Sequence, residues 1–416
     1  MSSVLAPFQL FNNILWFSTP AILQGLYFFV YLSPFLLAII LWQTYLLYIR
    51  SRYIKDQEWV LLEIKIPKEI SKSPRAMELL LEIFYQTYEG ELIDRFIKGS
   101  IRSWFSLELV SIGGKIHFYL YIPKFFHNLV ESRIYSQYPE VEIIKCDHDY
   151  TEDVTYGQPG SPWQITGREF KLDKSEVYPI RTYVDYELDK DPKEEFKIDP
   201  MTPMLEFLSS IKPTEQVWYQ ILIMGGKKRF AKDPKTGKAT GWQKEVQNEL
   251  STLLNRNIDA KDMSSAWIKT VLSPGEREMI EAVERNLKKL PFDTGLRVLY
   301  AATEGIRPAV KVGLLSSLRQ YSYERRNAFA GVDYTITGFN NPWQDPFGWR
   351  TKKREMKHFK YYRNRSYFYP PAGRKPMTLT TEELATIYHF PGQVATTPSL
   401  ERIQSKRGEP PANLPI

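Results

Sequence analysis

Trp59-Val-Leu-Leu-Glu-Ile-Lys-Ile66 sets Val60, Leu62, Ile64 and Ile66 on one face of an extended chain and Glu63 and Lys65 on the other. That is the period-two pattern of a half-buried strand. Ser73-Pro74 follows as an N-cap and an N1 proline, and Ala76, Leu79, Leu80, Ile83, Phe84 and Tyr88 recur at helical spacing. Phe105 to Ile112 and Lys115 to Ile122 read as two further strands, joined by Gly113-Gly114, a pair able to take the positive φ angles of a two-residue hairpin turn. Lys124 to Gln137 predicts a helix with Phe125, Phe126, Leu129, Val130 and Ile134 on one side, and Val141 to Ile144 a closing strand. The order is β-α-β-β-α-β, the ferredoxin-like split βαβ unit, with an antiparallel sheet and both helices on one face.

Downstream, a second unit of the same kind is expected over 165–335, without a detectable sequence repeat. Val177 to Glu187 reads as a strand, Met201 to Ile211 as a helix, and Gln216 to Met224 as a strand with Val217, Tyr219, Ile221 and Ile223 alternating. The Lys- and Gly-rich run from Gly225 to Thr240 opens an insertion, 225–272, that includes a helical stretch from Trp242 to Asn255. Ser273-Pro274 caps a helix reaching Leu290, Leu296 to Ala302 is a strand, and Ala309 to Phe329 a further helix. Beyond Asn340, prolines from Pro342 to Pro415 predict an extended tail over 340–416.

Upstream of the first unit, the opening forty-nine residues hold no Asp, Glu, Lys or Arg, and the next few bring Arg50, Arg52 and Lys55. Ile22 to Leu47 is almost wholly apolar and exceeds the roughly 20 residues a helix needs to cross hydrocarbon. The segment 1–52 therefore predicts one transmembrane helix, about 22–48, with the N-terminus outside and the following domain, 57–150, inside, because basic residues stay on the cytoplasmic side. Trp16-Phe17 and Trp42, Tyr45 and Tyr48 fall where interfacial rings lie, and residues 4 to 17 read as a separate interfacial helix. A cleaved signal would need a basic stretch before the apolar run and a shorter run. The expected fold is thus α+β: a transmembrane helix, two ferredoxin-like domains and a Pro-rich tail. The lone Cys146 suits a reducing cytoplasm, and the formal charge of +7 on 416 residues does not by itself announce nucleic acid.

Arg350, Lys352, Lys353, Arg354, Lys357, Lys360, Arg363 and Arg365 fall within sixteen residues, opposed only by Glu355 and interleaved with Trp349, Phe359, Tyr361, Tyr362, Tyr367, Phe368 and Tyr369. Three readings stand: phosphate neutralisation with base stacking, contact with anionic lipid, and a solvated basic face. Cys146, Asp147, His148, Asp149, Glu152 and Asp153 read as an exposed acidic loop, since they are consecutive and lack zinc spacing. His117, alternating with Tyr119 and Tyr121, reads as structural. The sequence carries no P-loop, nucleophile elbow, HExxH or dinucleotide fingerprint, so no enzyme activity and no cofactor are expected.

Leu379-Thr-Thr-Glu-Glu-Leu-Ala-Thr-Ile-Tyr-His-Phe-Pro-Gly392 and Ser405-Lys-Arg-Gly-Glu-Pro-Pro-Ala-Asn-Leu-Pro415 resemble the segment that links the N-terminal region to the motor in membrane-anchored HerA/FtsK-superfamily ATPases of conjugation and type IV secretion. Lys72 to Met77, Pro213 to Ile221 and Arg297 to Tyr300 extend the resemblance over most of the part after the anchor. The sequence ends at Ile416, where the motor of such relatives begins, so ATP hydrolysis is not carried over. The resemblance, shared with uncharacterised proteins of reduced-genome bacteria, implies an anchor and adaptor in a bacterial inner membrane for a separately encoded P-loop ATPase, in a homo-oligomer. Glu383, Leu384, Ile387, Tyr388, His389 and Phe390 would dock on that motor or, on the competing reading of the same string, pack against the second domain of this chain. The alternative is a membrane-tethered nucleic-acid-binding protein acting through 350–365, with DNA as partner.

Overall fold

In the computed structural model, residues 6–67, 72–189, 198–226, 241–255, 273–332 and 342–392 are described. The chain opens on one helix, α1 (Ala6–Asp56), of 51 residues. At 1.5 Å per residue this is about 76 Å, more than twice a hydrocarbon core. The segment expected to be separate, 4–17, is thus joined to the span from Ala6 onward: Asn12-Asn13, Pro20 and Pro34 lower helix propensity without ending the helix. Among the described residues, one stretch, Tyr31–Asp56, is long and apolar enough to cross a membrane. Residues 89–101 belong to the same compact unit as α1 and carry one turn of π-helix, Asp94–Lys98.

The second unit comprises 57–88 and the chain from 102. Here β1 (Trp59–Lys65), α2 (Pro74–Leu81), β2 (Trp104–Ile112), β3 (Lys115–Pro123), α3 (His127–Gln137) and β4 (Glu142–Cys146) follow the expected order. Gly113 and Gly114 turn the β2–β3 hairpin with φ of +59° and +89°, angles that a side chain would strain. The chain continues through β5 (Gln164–Leu172), α4 (Thr202–Ser209), β6 (Glu215–Gly225), α5 (Trp242–Asn255), α6 (Pro274–Leu287), β7 (Pro291–Ala302), α7 (Pro308–Ser316) and β8 (Phe329–Val332). It ends in α8 (Trp349–Arg363), β9 (Met377–Thr380) and α9 (Thr381–Ile387).

The nine strands of the described residues form one antiparallel sheet, ordered β4-β1-β3-β2-β6-β7-β5-β8, with β9 paired to the start of β7. From either edge inward the order reads fourth, first, third, second strand of its half, and the two second strands, β2 and β6, meet at the centre.

Three expectations are corrected. Val177 to Glu187 is a series of turns bonded to itself, Asp185 N–H to Thr182 O and Glu187 N–H to Val184 O, and the first strand of the second half is β5. The stretch from Ala309 to Phe329 is not one helix: α7 stops at Ser316, and a 3-10 turn at Arg319–Tyr321 leads towards β8. Residues 342–392 hold two helices and a strand in place of an extended tail. The expected loop 227–240 and the string from Ser405 lie outside the described residues.

Each face of the sheet has its own apolar cluster. The larger takes Val60, Leu62 and Ile64 of β1, Phe105, Leu107 and Leu109 of β2 and Ile221 and Ile223 of β6, covered by α2, α3, α4, α7 and α9. The smaller takes Leu61, Val110, Trp218 and Leu299 from the opposite side, covered by Phe359 and Tyr362 of α8 and by Tyr150 and Val154. α9 is inside the larger cluster: Leu384 and Ala385 are fully buried, and Ile387, Tyr388 and Phe390 nearly so. Leu384→Ala is expected to lower stability by about 2–5 kcal/mol, read as a lower denaturant midpoint of the detergent-solubilised chain by tryptophan fluorescence.

Candidate anion-binding helix

α8 starts where Asp345 accepts from the Arg350 N–H (3.1 Å), the Thr351 N–H (2.7 Å) and the Thr351 hydroxyl (2.7 Å), satisfying donors that a helix start leaves open. Its inner side carries His358, Phe359, Tyr361 and Tyr362, all buried. The Tyr362 ring centre lies 5.3 Å from that of Trp218, which fixes the helix roll. Trp349, Lys352, Lys353, Met356, Lys357 and Lys360 then fall on the outer side and, with Tyr361 and Pro371, line an open groove. Trp343, Phe347 and Trp349 at the helix start are each 75 % exposed.

A polar row crosses six adjacent strands in register, with the end of α8 over its β6 and β7 members. Glu63 stands opposite Tyr119, Tyr119 opposite Glu108, Glu108 opposite Gln220, Gln220 opposite Arg297, and Arg297 opposite Glu169. Arg297 donates to Gln220 Oε1 (2.6 Å), to the Tyr361 carbonyl (2.8 Å) and to the Ser366 carbonyl (3.0 Å), so it holds the end of α8. Burial brings its pKa down to about 10, and it stays charged at neutral pH. Arg365, at φ +46°, meets Glu108 through paired bonds of 3.0 and 3.1 Å and also grips Asp149. Glu108 further accepts from Ser106, Tyr150 and Gln220, each at 2.7 Å. Burial pushes the Glu108 carboxyl up, and the guanidinium with these donors more than reverses it, leaving a carboxylate held below the usual range. His358 is pushed down to about 3 by burial and by the neighbouring Arg297 charge, and is neutral.

The eight expected anion-binding residues therefore divide. Arg350, Lys352, Lys353, Lys357 and Lys360 are exposed, Arg354 and Arg363 half-buried, and Arg365 is an internal strut. The expected exposed acidic loop divides too: His148 pairs with Asp153 at 2.8 Å on the outside, while Asp149 turns in to Arg365. The strip Glu383, Leu384, Ile387, Tyr388, His389 and Phe390 lies inside the fold, which corrects its reading as an outward docking string. Tyr388 donates to the Tyr119 carbonyl (3.3 Å), Phe390 sits edge-on to Phe118 and Tyr138, and His389 bonds the Ala385 carbonyl (2.8 Å) and Asp199 (3.2 Å). Four large apolar side chains in seven residues fill core space on this chain before any partner can reach them.

Residues 52–402 match the family model described as a domain of unknown function, DUF8128. The chain belongs to this family. No curated protein matches it. The DUF8128 match takes in the whole sheet, α8 and α9, so the polar row and the basic face both lie within the family's own boundaries.

Two outcomes are expected of the DUF8128 interior. Arg365→Met strands the buried Glu108 carboxylate and leaves the half-buried Asp149 without its partner, and is expected to cost about 3–5 kcal/mol; adding Glu108→Gln recovers part of it, measured as denaturant midpoints of single and double variants. Glu383, fully buried, is pushed up to about 7 by burial, although the Thr380 and Ile180 N–H groups donate to it. The folded chain keeps this proton while the unfolded chain releases it near the ordinary 4.5. Its contribution, up to about 3 kcal/mol, is complete below pH 4.5 and lost as pH rises through about 7. Glu383→Gln is expected to flatten that slope in midpoints taken from pH 5 to 8.

Proposed function

We propose that this chain is a non-enzymatic, single-pass membrane protein that binds single-stranded nucleic acid through the outer face of α8. The observation that carries this reading is the row Lys352, Lys353, Lys357 and Lys360, exposed along one helix side and headed by the exposed Trp349 ring. Lysines a turn apart suit a phosphate backbone, and rings at the end of the row suit a stacked base. An anionic bilayer suits the same charges less well. A helix lying in the membrane interface sinks an apolar face into lipid, and the apolar face of α8 is taken up by Trp218 and the sheet.

The anchor in this reading is Tyr31–Asp56; Arg50, Arg52 and Lys55 at its end support an orientation with the sheet on the cytoplasmic side, and the membrane we take to be a bacterial inner membrane. The sheet itself we read as two split βαβ units of the ferredoxin kind, joined through their second strands. Tethering keeps nucleic acid at high effective concentration beside the membrane. The adaptor reading, with a separate P-loop ATPase of the HerA/FtsK type as partner and a homo-oligomeric assembly, rests on the resemblance of 379–392. Because that string is internal, a motor would need another surface.

The test is anisotropy of labelled single-stranded DNA with full-length protein in nanodiscs across a salt series. Affinity is expected to fall linearly in log–log coordinates. Lys352→Glu, Lys353→Glu and Lys357→Glu together are expected to flatten the slope by about 2, at roughly 0.7 per phosphate contact. Binding that the triple change leaves untouched, or a preference for anionic vesicles over DNA, rejects the reading.

A further inference from the structure

The turn 89–101 interrupts the passage from α2 to β2, yet its own contacts are with the membrane helix. The Phe96 ring lies 5.9 Å from the Trp42 ring, and the Tyr45 hydroxyl donates to the Phe96 carbonyl at 3.2 Å. Further along, Gly99, at φ +76°, lies so close to α1 that a Cβ would stand 2.5 Å from the Ile49 carbonyl oxygen. Gly99 therefore sits beside Ile49, and Phe96 beside Trp42 and Tyr45, so the turn runs back along α1 away from Arg50 and towards its apolar stretch. Trp42 precedes Arg50 by eight residues, about 12 Å of helix. Four of the turn's five charges are tied in pairs, Lys98 to Asp94 at 2.8 Å and Arg95 to Glu89 at 3.3 Å, and the fifth, Glu91, is exposed. Leu92, Ile93 and Ile97 remain 69 %, 61 % and 65 % exposed.

Three large aliphatic side chains bare to water within six residues are costly, and the turn holds them beside the one helix that, among the described residues, is long and apolar enough to cross a membrane. The geometry points to a second membrane contact: the turn 91–98 dips into the cytoplasmic leaflet beside α1, with Leu92, Ile93 and Ile97 in the interfacial zone and Phe96 clamped on the Trp42 belt. The occupant is the bilayer itself, because the contact continues the surface of the spanning helix. The inference rests on α1 being the span. Its consequence is mechanical: three chain crossings, at 56/57, 88/89 and 101/102, link the membrane-bound unit to the sheet, where a lone anchor would give one.

The experiment uses full-length protein in nanodiscs with Cys146→Ser and one new cysteine carrying an environment-sensitive fluorophore, at Ile97, at Leu41 within the span, or at Lys115 on the hairpin. Nitroxide lipids are the quencher. Ile97 and Leu41 are both expected to be quenched, Ile97 more strongly by headgroup-proximal nitroxide and Leu41 by deep nitroxide, with Lys115 unaffected. Quenching at Leu41 with Ile97 as bright as Lys115 overturns the second contact and leaves the span standing. Full brightness at Leu41 shows instead that α1 does not span, and removes the basis of both. Ile97 is exposed, so the label displaces no packing.

Discussion

The row Glu63, Tyr119, Glu108, Gln220, Arg297 and Glu169 holds one register across six strands, and the rest of the second unit depends on it. Side chains alternate across a sheet, so a slip of one residue in any pairing would send a member of the row into the large apolar cluster on the other face. There a charged or amide group would meet only hydrocarbon, at a cost of several kcal/mol. The row thus fixes which way each of these six strands faces. It also explains why β2 and β6, each the exposed edge of its own half, pair with each other over Trp104↔Met224 to Ile112↔Gln216: Glu108 and Gln220 bond across that seam at 2.7 Å.

Once the row is in place, the segments after β8 have little choice. α8 covers its β6 and β7 members, where Gln220 and Arg297 donate to the Tyr362 and Tyr361 carbonyls, and Arg365 just beyond the helix is held by Glu108. The buried arginines and the exposed lysines of one basic block then do different things. Arg365 spends its charge on Glu108 and Asp149, whereas Lys352, Lys353, Lys357 and Lys360 point outward as a direct result of Phe359 and Tyr362 packing on Trp218. On the opposite face α9 plays the converse part. Its Glu382 is held by Arg285 (3.0 Å) and Thr182 (2.7 Å), and its apolar residues close the core over β3.

Much of the first half of the sheet could be read in advance because its signals are local. Alternation in β1, Gly113-Gly114 between β2 and β3, and Ser73-Pro74 before α2 each act within a few residues. Ser273 caps α6 by a reciprocal bond with Glu276, whereas Ser73 stands at the N-cap of α2 without a side-chain bond. β5 escaped notice because Thr166, Gly167, Arg168 and Glu169 fill its middle, and Glu169 belongs inside only because Arg374 (3.3 Å) and the row receive it. Val177 to Glu187 is rich in β-branched and aromatic residues like a strand, but Asp185 is drawn to Arg326 and Arg285, which holds the segment in turns.

By itself the sequence determined what short-range chemistry dictates: an apolar helix of spanning length, the order of strands and helices in the first half, the caps, and a dense cationic block late in the chain. Tertiary structure alone decided which of those cations are exposed, that 383–390 is core, that the two halves share one sheet, and that the turn 89–101 returns to α1. The physical reason is that a hydrophobic or charge pattern states that a side chain needs a partner or a cover, whereas the partner's identity is set by registers and packing between residues up to hundreds of positions apart, as Glu108 and Arg365 are.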